Sequence, residues 1–147
     1  MVLRTPDAQL TFANFARSIV AGAVAALKIG MEILHNEQVQ IDSLLGHGGY
    51  FKTPVCGQQM MADMLRAPVS VMETAGEGGP WGMAVLAAYA VRKETGETLE
   101  DYLNEKVFKN ARAATVQPCE ESACALDLYT ARFSATLDAQ RAAEQLH

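Results

Sequence analysis

The chain has 147 residues, half of them hydrophobic and 20% charged, which is one domain's worth of sequence with enough apolar side chains for a core. A net charge of -5 argues against a nucleic-acid surface, which needs clustered Lys and Arg. Cys56, Cys119 and Cys124 are an odd, sparse set that fits free thiols in a reducing compartment, and Cys119 and Cys124 have no second pair or nearby histidine to build a zinc site.

The start "MVLRTPDAQL" has no apolar leader segment. The apolar stretch Ile19–Ile29 is too short to span a bilayer and Lys28 interrupts it, so a cytoplasmic protein with no membrane partner is expected. From Pro6 to His35 the pattern is helical, with Thr5 as N-cap, Pro6 at the first helical position and Asp7 at the positive end of the dipole. Phe12, Phe15, Ile19, Ala23, Leu27 and Met31 recur at helical spacing as one buried face, which Ala16, Val20 and Val24 widen. The small residues Ala21, Gly22, Ala23, Ala25 and Ala26 allow another element to approach closely.

Val39 to Leu45 reads as a short strand stopped by Gly46. The loop "LLGHGGYFKTP" follows, and Thr53 and Pro54 supply cap and first-turn chemistry for a second helix through "VCGQQMMADML". Met60, Met61, Met64 and Leu65 are its apolar positions, read as core filler, and Pro68 ends the region. Val69 to Glu73 is a second strand. "TAGEGGP" is a second glycine-rich loop, and Pro80 opens a third helix, "WGMAVLAAYAVRKE", with Trp81 as its core anchor. From Thr98 the reading is all helical: "TLED" is a capping-box variant, "ARAATVQP" a linker, and a last helix from Glu121 lines up Leu126, Tyr129, Phe133 and Leu137. Strands alternating with helices imply parallel pairing and an α/β layer structure. Two strands make a poor sheet with open edges, which suggests a piece of something larger.

A strand, a glycine turn and a helix N-terminus together make an anion site, because backbone N–H groups point outward and glycine lets a phosphate come close. The standard phosphate motifs fail at Phe51, which stands where both the Walker loop and the dinucleotide fingerprint need glycine. A structural turn is the competing reading. Cys56 reads as a small buried thiol, and His47 as a loop residue rather than a base.

The segment "LLGHGGYFKTPVCGQQMMADMLRAPVSVMETAGEGGPWGMAVLAAYA", with "ARSIVAGAVAALK" ahead of it, resembles the C-terminal domain of the FGGY family of carbohydrate kinases over about Leu10 to Arg92. The flavour is that of the ribulokinase and xylulokinase branch. The resemblance implies an α/β fold, a fragment of an actin-like (ribonuclease H-like) ATPase domain, with few parallel strands and predominant helices. It implies residues 1–97 as the C-terminal portion of that domain and residues 98–147 as a helical extension packed on it. It implies ATP and Mg²⁺ as cofactors and a ketopentose as partner in the intact enzyme. Gly48, Gly49, Tyr50, Lys52 and Gln58 are then the nucleotide-binding residues, with no catalytic residue and no metal ligand in this chain. His47 departs from the glycine common in relatives. The opposing reading is a non-catalytic helical interaction module whose glycine loops are only turns. The open strand edge and apolar faces lead us to expect a homo-oligomer.

Overall fold

Thr11 starts the first helix: its hydroxyl accepts the backbone N–H of Asn14 at 3.1 Å, and α1 runs Phe12–Asn36. The computed structural model describes residues 2–53, 55–73 and 75–145. The start expected at Pro6 is therefore corrected. Pro6 and Asp7 form a turn closed by Ala8 N–H on the Thr5 carbonyl, and the Asn14 side chain donates to the Gln9 carbonyl at 2.8 Å. Two threonines carry cap chemistry, and Thr11 is the one with a helical N–H three residues on.

The packed side of α1 is Ala21, Val24 and Ala25, each nearly inaccessible to solvent. The face expected inside lies outside instead, with Phe12 86% and Ile19 60% exposed. By length and composition alone α1 is long and apolar enough to cross a membrane, although its middle turns form part of the core here.

Among the described residues three strands form one mixed sheet in the order β1-β2-β3. β1, Leu44–Gly46, runs parallel to β2, Val69–Met72, with Leu44 opposite Val69 and Gly46 opposite Val71. β3, Ala113–Val116, runs antiparallel to β2, pairing Val69 with Val116 and Met72 with Ala113. Both expected strands are shorter than read. β3 corrects the all-helical reading after Thr98, since the segment taken for a linker completes the sheet.

The strands are joined by α2, Cys56–Leu65, and followed by α3, Gly78–Arg92. Short 3-10 turns, Gly49–Lys52 and Ala75–Glu77, precede them. The cap expected at Thr53 is replaced by Val55, which makes no side-chain capping bond, and Pro54 lies outside the described residues. Beyond them come α4, Leu99–Tyr102, a π-turn at Leu103–Val107, α5, Glu120–Ala135, and α6, Leu137–Glu144. The capping box at Thr98 forms as read, Thr98 and Asp101 each bonding the other's backbone N–H.

The core is Ala21, Val24, Ala25, Met60, Met64 and Leu126, flanked by Tyr50, Tyr129 and Phe133. The methionines are core filler, as expected. No described residue of α3 is buried. Trp81 is half-buried, its ring 5.5 Å from that of Phe108, so it anchors α3 to the π-turn segment rather than to the main core.

Charge ties the three core helices together. Arg66, in the left-handed region at φ 53° just past α2, donates Nη1 to Glu120 at 2.8 Å and Nη2 to Asp127 at 2.7 Å. Lys28 reaches Asp127 from α1. The Lys28 ammonium, then the Arg66 guanidinium, hold the Asp127 carboxyl below its ordinary range, and Arg66 does the same for Glu120. Both carboxyls thus bind protons less readily folded than unfolded. Their contribution is complete above the unfolded carboxylate range near pH 4 and is lost as pH falls through the lower folded values. Urea unfolding between pH 7 and pH 2 should show stability falling on the acid side, and Arg66→Ala should flatten that fall.

Candidate functional site

β1 and β2 are parallel neighbours, so their carboxyl ends lie side by side, the position where open α/β sheets take ligands. Each ends in a glycine-rich loop. The loops are laced by the Gly48 N–H, which donates to the Ala75 carbonyl at 2.7 Å. Gly48 has φ 99° and ψ -178°, a region essentially reserved for glycine. A Cβ built at Gly48, Gly49 or Gly79 meets nothing within 4 Å, so the backbone there opens outward.

Four other glycines are closed instead, each filled by a neighbour. A Cβ on Gly46 would stand 2.5 Å from the Phe51 ring, and one on Gly57 would stand 2.8 Å from the Tyr50 carbonyl oxygen. One on Gly76 would meet the Lys52 stem at 3.3 Å, and one on Gly78 would meet His47 at 3.1 Å. His47 and Lys52 therefore bridge the first loop to the second through their apolar parts, while both residues remain exposed.

The expected site residues divide into two groups. Gly48, Gly49 and Lys52 lie together on the outer loop. Tyr50 turns inward: its ring meets the Phe51 ring edge-on at 5.3 Å, its hydroxyl oxygen is buried without a hydrogen-bond partner, and burial pushes its pKa up. Gln58 also faces inward, beneath the loops. Its Nε2 donates to the Val69 carbonyl of β2 at 2.8 Å and the Ala114 carbonyl of β3 at 2.7 Å. Cys56 is exposed, which corrects the buried-thiol reading, because α2 begins there at the loop's outer rim. Among the described residues no group of three His, Cys, Asp or Glu side chains is placed to hold a metal ion.

Sequence reasoning missed Gly57, and a signal for it exists. Glycine inside a helix costs roughly 1 kcal/mol against alanine, so its presence in the first turn of α2 points to a close contact.

The fold is a helix-rich α/β arrangement with a glycine-rich loop after each of two parallel strands. Residues 2–91, more than half of the chain, match the model of the FGGY family of carbohydrate kinases, C-terminal domain, and the chain belongs to that family. That domain is actin-like, and the helix-rich α/β architecture with its small sheet agrees with part of one. Neither the curated proteins nor the solved structures contain a match. β3 and α5 lie beyond the matched residues, yet they complete the sheet and the core.

Three substitutions separate the packed positions from an open one. Gln58→Leu strands two carbonyls beneath α2 and should lower unfolding free energy by about 2–3 kcal/mol in urea titration. Gly57→Ala should destabilise by about 1–3 kcal/mol by displacing the Tyr50 peptide. Gly82→Ala, in α3 with open space around it, should instead stabilise by about 0.5–1 kcal/mol.

Proposed function

We propose that the paired glycine loops hold the phosphates of ATP in a kinase that phosphorylates a sugar hydroxyl. The observation that carries this reading is the lacing of two glycine loops at the carboxyl ends of parallel strands, with Gly48 in a glycine-only conformation. Membership in a carbohydrate kinase family supports it.

In this reading the open backbone at Gly48 and Gly49 admits a phosphate without side-chain obstruction. The N-termini of α2 and α3 follow the two loops and favour negative charge there. Lys52, exposed beside Gly76, adds a compact positive charge. ATP supplies the phosphoryl group and Mg²⁺ neutralises the charge developing on it when bound. This chain's residues bind and orient the nucleotide. Tyr50 and Gln58 hold the loop's underside, and residues 98–147 brace residues 1–97 through β3 and α5. A pentulose acceptor, ribulose or xylulose, follows from the sequence resemblance. The reading assigns no base to this chain, so the chain alone turns over no sugar.

The test is a titration of the isotope-labelled chain with ATP and Mg²⁺, followed by amide NMR. Shifts centred on Gly48, Gly49 and the 75–79 loop are expected. Gly48→Val should abolish them while leaving the rest of the spectrum in place, and Lys52→Ala should weaken binding less, because an exposed charge is screened. An unchanged spectrum at millimolar ATP would remove the phosphate role. A coupled ADP-release assay with ribulose or xylulose should show no sugar-dependent turnover.

A further inference from the structure

α1 is turned inside out. Its polar residues Asn14, Arg17, Ser18, Lys28 and Glu32 share the side that carries the buried Ala21 and Ala25. Arg17 reaches Ser122 and Lys28 reaches Asp127, both on α5. The opposite side, an arc about 120° wide at the α-helical repeat, carries no polar residue from Phe12 to Leu34. Phe12 is 86% exposed, Ile33 67%, Ile19 60% and Leu27 44%. Beside the arc a groove of about 620 Å³ continues the surface toward α5, with Phe15, Gly22, Tyr129 and Phe133 in its wall and Arg4 and Arg132 also lining it.

We propose that this face is the interface of a symmetric dimer in which α1 packs antiparallel on α1 of a second copy. The order of sizes along its centre names the occupant. Phe12, Ala16, Ile19, Ala23, Leu27, Gly30 and Leu34 alternate large and small, and the order is the same from either end, with Ala23 in the middle. A two-fold axis through Ala23 brings Phe12 toward Leu34 and Ile19 toward Leu27 of the other copy. It also sets Ala16 against Gly30, where the backbones can approach closely. A Cβ at Gly30 has nothing within 4 Å in the single chain, so the space is there to be filled. An isologous interface requires this kind of self-complementarity.

Charge and area agree. No charged side chain lies on the arc, so a second copy meets it without like-charge repulsion despite the net charge of -5. At roughly 150–250 Å² for a whole aromatic side chain and somewhat less for Ile or Leu, the exposed parts of Phe12, Phe15, Ile19, Leu27, Ile33 and Leu34 offer on the order of 600 Å². Two copies then cover on the order of 1,200 Å², the lower end of specific interfaces. The sheet contributes little, because the open edge of β1 is only three residues long. Of the two features behind the expected association, the proposal rests on the apolar face and not on the strand edge.

The experiment is sedimentation of the chain across a concentration series. A two-chain species that dissociates on dilution is expected. Ala23→Glu, which puts two carboxylates at the axis, should leave one-chain mass at every concentration with unchanged far-UV circular dichroism. A disulfide at the axis reads the same pairing without the added charge. With Cys56, Cys119 and Cys124 replaced by Ser, Ala23→Cys should oxidise to a disulfide-linked dimer, whereas Gly30→Cys alone should not. One-chain mass for the unaltered chain at all concentrations would overturn the proposal. So would binding of the unaltered chain to phosphatidylcholine vesicles in place of pairing.

Discussion

One carboxamide sets the position of everything around the glycine loops. Gln58 lies in the first turn of α2, 8% exposed, and gives its amide hydrogens to Val69 of β2 and to Ala114 of β3. A buried amide has to find partners, so helix, central strand and edge strand are fixed relative to one another. β3 is otherwise held by its ladder with β2 and the Ser70–Thr115 hydroxyl bond, since Ala113, Ala114 and Thr115 are exposed. The same helix then directs the chain onward. Gln59 donates to the Gln117 carbonyl at 2.9 Å, and the buried Asp63 carboxylate accepts the Cys119 N–H at 2.8 Å. Through these polar side chains α2 governs where β3 ends and where α5 begins.

The loops above this anchor are held taut. Val55, at φ 67° and ψ -53°, is a β-branched residue in the classic γ-turn geometry, a strained conformation that persists only where its surroundings over-determine it. Those surroundings are visible: Gly57 seated under the Tyr50 carbonyl, Phe51 seated over Gly46, and Gln58 fixed to the sheet below. The outer glycines Gly48 and Gly49 are left with open space where a side chain would stand. Closed glycines thus set the loop's shape and open ones set its surface, a division of roles within one residue type.

That division explains what the sequence showed and what it withheld. Local signals were readable. The Thr98 capping box, the core role of Met60 and Met64, the strand at Val69 and the loop–helix order all depend on neighbours within a few residues. β3 was not readable, because Ala-Ala-Thr-Val shows no alternation and its partner amide lies 56 residues upstream. The inward turn of Tyr50 and Gln58 was hidden for the same reason. Sequence places both next to the glycines, and only the packing of Gly57 and the sheet carbonyls decides which way they point.

α1 shows the same limit in its purest form. Helical spacing correctly groups Phe12, Ile19 and Leu27 on one side, but spacing says nothing of what that side meets. The neighbours decide. α5 offers Asp127 and Ser122, so the polar stripe of α1 turns toward it, and small residues fill the seam where Val24 meets Met60 and Met64. Turning that stripe inward forces the apolar arc outward, because both are fixed to one rigid cylinder. Ion pairs of this kind are half-open to solvent and individually weak. The seating of α1 on its own domain therefore rests chiefly on the contacts of Ala21, Val24 and Ala25. Its larger apolar surface remains outside them, which makes α1 the element whose stability responds most to whatever covers that arc.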